Sequence, residues 1–199
     1  GGSDKPLEIE AYAMSALMDD IVGILDACGE EQAVLIGHDW GAPIVWNTAA
    51  LRSSRVSAVV GLSVPYRRRA SVPLIELWKK IYEGKFFYQL YFQEEGVAEA
   101  ELERDVRLSL RKIYFSISGD APSLDSWLTR PETATLLEAF VDPPSFPKWL
   151  TKEDLNYFVE SFSNGGFRGP INRYRNQERD FQQLPLMGVS RVSQPSCFI

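Results

Sequence analysis

A chain of 199 residues with 45% hydrophobic side chains is long enough for one domain with a sizeable core and too apolar to be disordered. Its apolar runs are all too short to cross a bilayer. A net charge of −6, with Arg67-Arg68-Arg69 as the one dense basic cluster, excludes the basic stripe of a nucleic-acid binder, and the triplet reads as a solvated loop.

In chain order, residues 1–6 read as a loop. From about Ile9 to Cys28, apolar residues recur at Met14, Leu17, Ile21, Leu25 and Cys28, spacings that predict an amphipathic helix stopped by Gly29. Ala33-Val34-Leu35-Ile36 reads as a buried strand, Ala42 to Leu51 as a helix, and Val56 to Leu62 as a second buried strand. Strand, helix and strand with short connections imply a parallel sheet covered by helices, an α/β class. From Arg67 to about Leu184 the pattern is helical, with no convincing core strand. One stripe runs through Leu102, Val106, Leu110, Ile113 and Ile117. A second runs through Leu155, Phe158, Val159 and Phe162, with Thr151 as its N-cap. Gln194 to Ile199 reads as a return to the sheet. The expected organisation is a sheet core over 1–66, a helical lid over 67–184 and a return to the core over 185–199. Cys28 and Cys197 are expected to behave as small buried hydrophobes. With no CxxC pattern they support neither a disulfide framework nor a zinc site, and they fit a reducing, cytoplasmic setting.

The chemistry centres on Gly37-His38-Asp39-Trp40-Gly41, between the first strand and the helix that follows it. Small residues two positions either side of a carboxylate, on a strand-to-helix turn, have the shape of a nucleophile elbow with Asp in place of Ser. The turn is expected to be so tight that a Cβ at either flanking glycine would strike backbone. A carboxylate there attacks an electrophilic carbon and forms an ester on the enzyme's own side chain, which suits epoxide opening or halide displacement better than acyl transfer. The competing role for Asp39 is to cap the following helix; the flanking glycines and the apolar strand favour the nucleophile. His38, the one histidine, is not taken as a general base, because adjacent strand residues point to opposite sides. It is expected to pack beneath the elbow. No phosphate loop, dinucleotide fingerprint or metal-ligand cluster is present in the pattern, so no cofactor and no metal are expected.

Four stretches resemble epoxide hydrolases of the α/β-hydrolase fold, soluble type. Gly1-Gly2-Ser3 with Lys5-Pro6 resembles the tail of the family's R-G-Y-G-x-S loop, and residues 37–41 match its elbow. Tyr88-Gln89-Leu90-Tyr91-Phe92-Gln93-Glu94 resembles the first lid segment, and residues 167–176, from Phe167 to Asn176, resemble the second. The resemblance implies an α/β-hydrolase core with an inserted lid. It implies Asp39 as nucleophile, Tyr88 and Tyr174 as acids on the epoxide oxygen, and the backbone N–H of Trp40 in the oxyanion hole. Tyr91 is read as packing. Arg173 stands where the family more often has an aromatic residue, which bears on the pocket wall. The implied partners are an apolar epoxide and water, with a vicinal diol as product. A haloalkane dehalogenase using the same Asp39, and a non-catalytic α/β-hydrolase-like binding protein, are the alternatives.

In the family, a histidine base and its acid partner follow the lid, and an H-G-x-P loop precedes the elbow. None of these is found in the 199 residues. The chain is therefore expected to be an internal piece of a longer protein, poorly soluble and unable to turn over epoxides by itself.

Overall fold

The computed structural model describes residues 2–122 and 129–199. Gly1 of the first resembling stretch and residues 123–128 of the expected lid lie outside the described residues. In chain order the elements are α1 (Met14–Cys28), β1 (Ala33–His38), α2 (Gly41–Leu51), β2 (Val56–Leu62), α3 (Leu74–Ile81), α4 (Tyr88–Tyr91), α5 (Val97–Glu103), α6 (Val106–Ser116), α7 (Lys152–Gly165), α8 (Arg168–Arg175), α9 (Gln177–Gln183) and β3 (Ser196–Phe198). Two compact units result: Gly1–Leu7 with Leu74–Arg175, which is helical, and Glu8–Pro73 with Asn176–Ile199, which holds the sheet. Both divisions between residues 73 and 176 fall inside the 67–184 bounds read from the sequence.

In the sheet unit, all strands are parallel in the order β1-β2-β3, with Leu35 opposite Val59 and Gly37 opposite Gly61. The predicted strands and the return to the sheet are therefore present. Val45, Trp46 and Ala49 of α2 pack with Val56 and Val59, and Ile21 of α1 joins the same cluster. Trp46 lies over Gly61 so closely that a Cβ there would sit 2.3 Å from the indole nitrogen, which donates to the Val64 carbonyl at 3.0 Å. The expectation that β1 is buried holds on one face only. Val34 and Ile36 are 57% and 68% exposed, because no described element covers the side of the sheet away from α2.

Helix α1 starts later than its pattern suggests, because Ile9–Tyr12 form a separate 3-10 turn. It has no local side-chain cap. The buried Asp180 of α9 instead accepts the Met14 N–H at 2.8 Å, placing a carboxylate at the positive end of the helix dipole. Gly29 ends the helix at φ 72°, and the Glu30 N–H reaches the Leu25 carbonyl at 2.9 Å. Cys28 and Cys197 are both exposed, contrary to expectation: one is the last residue of α1 and the other lies on β3, which is open along its length. Arg69 also departs from the solvated-loop reading. Its guanidinium stacks 3.9 Å above Phe181 and donates to the carbonyls of Phe181 and Leu184, so it closes the C-terminal end of α9.

The helical unit has its own core, with Phe86, Phe92, Leu102, Leu110, Leu155, Phe167 and Ile171 among its buried members. Among its described residues the one strand-like pairing is an isolated bridge, Lys85 to Pro131. Thr151 caps α7 as predicted, in a reciprocal box with Asp154. The stripe from Leu102 to Ile117 is two helices rather than one. The chain turns at Arg104–Asp105, the Asp105 carboxylate accepts the Leu108 N–H at 2.9 Å, and Ile117 is left exposed beyond α6.

Candidate active site

Strand β1 carries the chain to Asp39, whose φ of 51° lies in the left-handed region that non-glycine residues seldom adopt. The Asp39 carbonyl accepts the Ala42 N–H at 3.0 Å, so the bend turns directly into α2. This path brings the start of α2 against Gly37, where a Cβ would lie 2.2 Å from the Gly41 carbonyl oxygen. The expected collision at the second flank does not occur: a Cβ on Gly41 meets no atom within 4 Å. Asp39 is exposed, and its Oδ1 accepts the Trp40 N–H at 2.6 Å. The N-cap of α2 is Trp40, with no side-chain cap bond, and the Asp39 carboxylate bonds the Trp40 N–H rather than the amide of the second or third helical residue that a capping carboxylate takes. His38 is exposed at the end of β1 rather than packed beneath the bend, because strand alternation puts it on the face opposite buried Gly37.

In the helical unit, Tyr88 opens α4 and Tyr174 lies near the end of α8. Their rings meet edge to face at 5.8 Å between centroids. Phe92 touches both, at 5.7 Å from Tyr88 and 5.0 Å from Tyr174. Two amides that sequence reasoning did not single out hold this cluster. Gln89 Nε2 donates to the Tyr88 hydroxyl at 2.8 Å. Gln93 Nε2 donates to the backbone carbonyls of Gln89, at 2.7 Å, and Tyr174, at 3.2 Å. Tyr91 is committed elsewhere. Its hydroxyl donates at 2.8 Å to Glu101, which also takes the N–H groups of Leu136 and Leu137. Burial, then the Glu101 hydrogen bond and charge, push the Tyr91 phenol well above the ordinary tyrosine value.

Behind the rings, Arg175 and Glu99 form a buried bidentate pair at 2.6 and 3.0 Å. Arg175 also donates to Asn172 Oδ1 and to the carbonyls of Phe92 and Glu94. One guanidinium therefore joins α8, next to Tyr174, to the segment that leaves α4 and to the start of α5. Burial acts to raise the Glu99 carboxyl, but hydrogen bonds from Arg175 and the backbone, together with the Arg175 charge, hold it below the ordinary value. Arg173 is buried in α8, 5% exposed.

Asp39 and Trp40 thus belong to the sheet unit, and Tyr88 and Tyr174 to the helical unit; within each unit the two are neighbours. Among the described residues no group of three or more His, Cys, Asp or Glu side chains is placed to hold a metal ion, and no helix is long and apolar enough to cross a membrane.

A family model described as alpha/beta hydrolase fold matches residues 1–139. The chain is 40% identical over 203 residues to epoxide hydrolase A of Mycobacterium tuberculosis, covering 100% of this chain and 62% of that protein. It is also 40% identical over 183 residues to bifunctional epoxide hydrolase 2 of Rattus norvegicus, covering 92% of this chain and 32% of that one. The crystal structure of epoxide hydrolase A from Mycobacterium thermoresistibile is similar with a TM-score of 0.94 and 39% identity, over 100% of this chain and 62% of that one. The chain therefore spans less than two thirds of the length of these relatives.

Proposed function

This chain belongs to the alpha/beta hydrolase fold family, and on that premise we propose that it carries the ester-forming machinery of an epoxide hydrolase. Asp39 is the nucleophile, and Tyr88 and Tyr174 are the acids that serve the ring oxygen. The substrate class is an apolar epoxide, in keeping with relatives named epoxide hydrolases. In this reading residues 67–184 act as the lid.

The observation that carries the reading is the pairing of Tyr88 and Tyr174 on different helices, ring against ring, beside the Phe92 edge. Two phenols in one place can both bond an oxygen on which negative charge develops, and one can supply the proton it needs. The nucleophile's surroundings support the same step. Asp39 attacks with one carboxylate oxygen while Trp40 N–H holds the other. After attack, that held oxygen is the ester carbonyl, and the same N–H stabilises it when water adds. The reading assigns no general base to His38, so the ester is expected to accumulate on the 199-residue chain.

The test is covalent capture. Incubation with a small apolar epoxide, methyl oxirane, is expected to add the mass of the epoxide to the peptide that contains Asp39. D39N should show no adduct there. Y88F combined with Y174F should slow its formation by about 10²–10⁴-fold, the range of general-acid assistance. An unaltered chain that gains no mass at Asp39 would overturn the proposal.

A further inference from the structure

A phenol has a single proton, and it goes to whichever acceptor holds it. For Tyr88 to give that proton to a ring oxygen, its protein neighbour must donate to the phenol oxygen rather than accept from it. Gln89 does so, its Nε2 lying 2.8 Å from the Tyr88 hydroxyl. Tyr91, on the same short helix, shows the opposite arrangement: its hydroxyl donates to a carboxylate, and its proton is spoken for. Gln93 braces the donor by holding the Gln89 carbonyl, and the same amide nitrogen reaches the Tyr174 carbonyl, so α4 and α8 are fixed together beside both rings.

We propose that Gln89 is a positioning residue that keeps the Tyr88 proton directed at substrate and steadies the phenolate left behind; this rests on the epoxide-opening reading above. In the step it serves, an Asp39 oxygen forms a bond to a ring carbon. The carbon–oxygen bond of the epoxide breaks with its electron pair on oxygen. The Tyr88 proton passes to that oxygen, giving a hydroxyalkyl ester and a Tyr88 phenolate that still accepts the Gln89 N–H. A glutamine amide can also present its oxygen, which would take the phenol proton and oppose the reaction, so the direction of this hydrogen bond decides the sign of the effect.

The experiment measures the rate of Asp39 adduct formation in the 199-residue chain and in Q89M and Q89E, by peptide mass mapping. Two epoxides of similar size are used, methyl oxirane and trifluoromethyl oxirane. Q89M keeps the length of the side chain and loses the donor; it is expected to slow methyl oxirane about tenfold. Q89E presents only acceptors at neutral pH and is expected to be slower still. The deficit should shrink with trifluoromethyl oxirane, whose alkoxide needs less protonation, whereas a displaced pocket would slow both epoxides alike. Urea denaturation of each variant shows whether it is folded. Unchanged rates in folded Q89M and Q89E, an equal loss with both epoxides, or a faster Q89M would each overturn the role of Gln89 while leaving the Asp39 reading intact. The absence of an adduct in the unaltered chain would remove both.

Discussion

A methyl group placed on Gly37 would lie 2.2 Å from the Gly41 carbonyl oxygen, whereas the same group on Gly41 meets nothing within 4 Å. The sequence shows the two glycines as equivalent, two positions either side of Asp39. What separates them is the direction in which α2 leaves the bend, and local sequence does not encode that path. G37A must displace backbone at the join of β1 and α2 and is expected to cost about 3 kcal/mol or more. G41A adds a methyl in open space at the first position of a helix and is expected to leave stability unchanged or raise it by up to about 1 kcal/mol. Urea denaturation of the two variants reads the difference, and equal losses would contradict this geometry. The bend at Asp39 was legible for the same reason that Gly37 was, from small residues around a carboxylate between a strand and a helix, whereas Tyr88 and Tyr174, two of eight tyrosines, were singled out only by the resemblance of their segments. Gln89 was not, since an amide beside a tyrosine becomes informative only when its donor is seen on the phenol oxygen.

Among the elements, the join of α4, α5 and α8 contains a buried ion pair. The Arg175 and Glu99 side chains are 3% and 9% exposed and are satisfied by further backbone and Asn172 contacts. Removing one partner strands the other charge in a desolvated place. R175M is therefore expected to cost about 3–5 kcal/mol, with E99Q costing less because the Arg175 charge it leaves keeps the acceptors on Asn172 and on the Phe92 and Glu94 carbonyls. The Glu99 carboxyl is held below its ordinary value of 4.5 in the folded chain. A group lowered in this way stabilises the fold fully above 4.5, and its contribution disappears as pH falls through the lowered value. Acidification below 4.5 should accordingly destabilise the unaltered chain more than it does E99Q, as read from urea midpoints across that range. Nothing in the apolar pattern announces this pair, because its members lie far apart in sequence. The pattern misled directly between Leu102 and Ile117, where spacings of three and four continue unbroken across the turn at Asp105. Asp105 is the signal that should have divided the run, since its carboxylate caps α6.

At the scale of the whole chain, the apolar runs of β1 and β2 identified parallel strands but not which faces are covered, because a run apolar on both sides reads as buried on both. Helix α2 covers one face, over Leu35, Val59 and Gly61, and leaves Val34 and Ile36 turned outward. Among the described residues β1 and β3 are also the two edges of the sheet, with Phe198 exposed on β3. Open parallel edges beside an uncovered apolar strip form a template for pairing between chains. The 199-residue chain is therefore expected to bind an apolar dye such as anilinonaphthalene sulfonate and to self-associate with rising concentration, as measured by light scattering. V34T combined with I36T keeps β-branched residues in β1 while adding hydroxyls to its outer face. It should reduce both dye binding and association while shifting unfolding free energy by no more than about 0.5 kcal/mol, because both side chains are mostly exposed and lie outside the buried cluster beneath α2. A monodisperse monomer that binds no dye would show that this face is covered, and an association unchanged by the double substitution would move its origin to the strand edges.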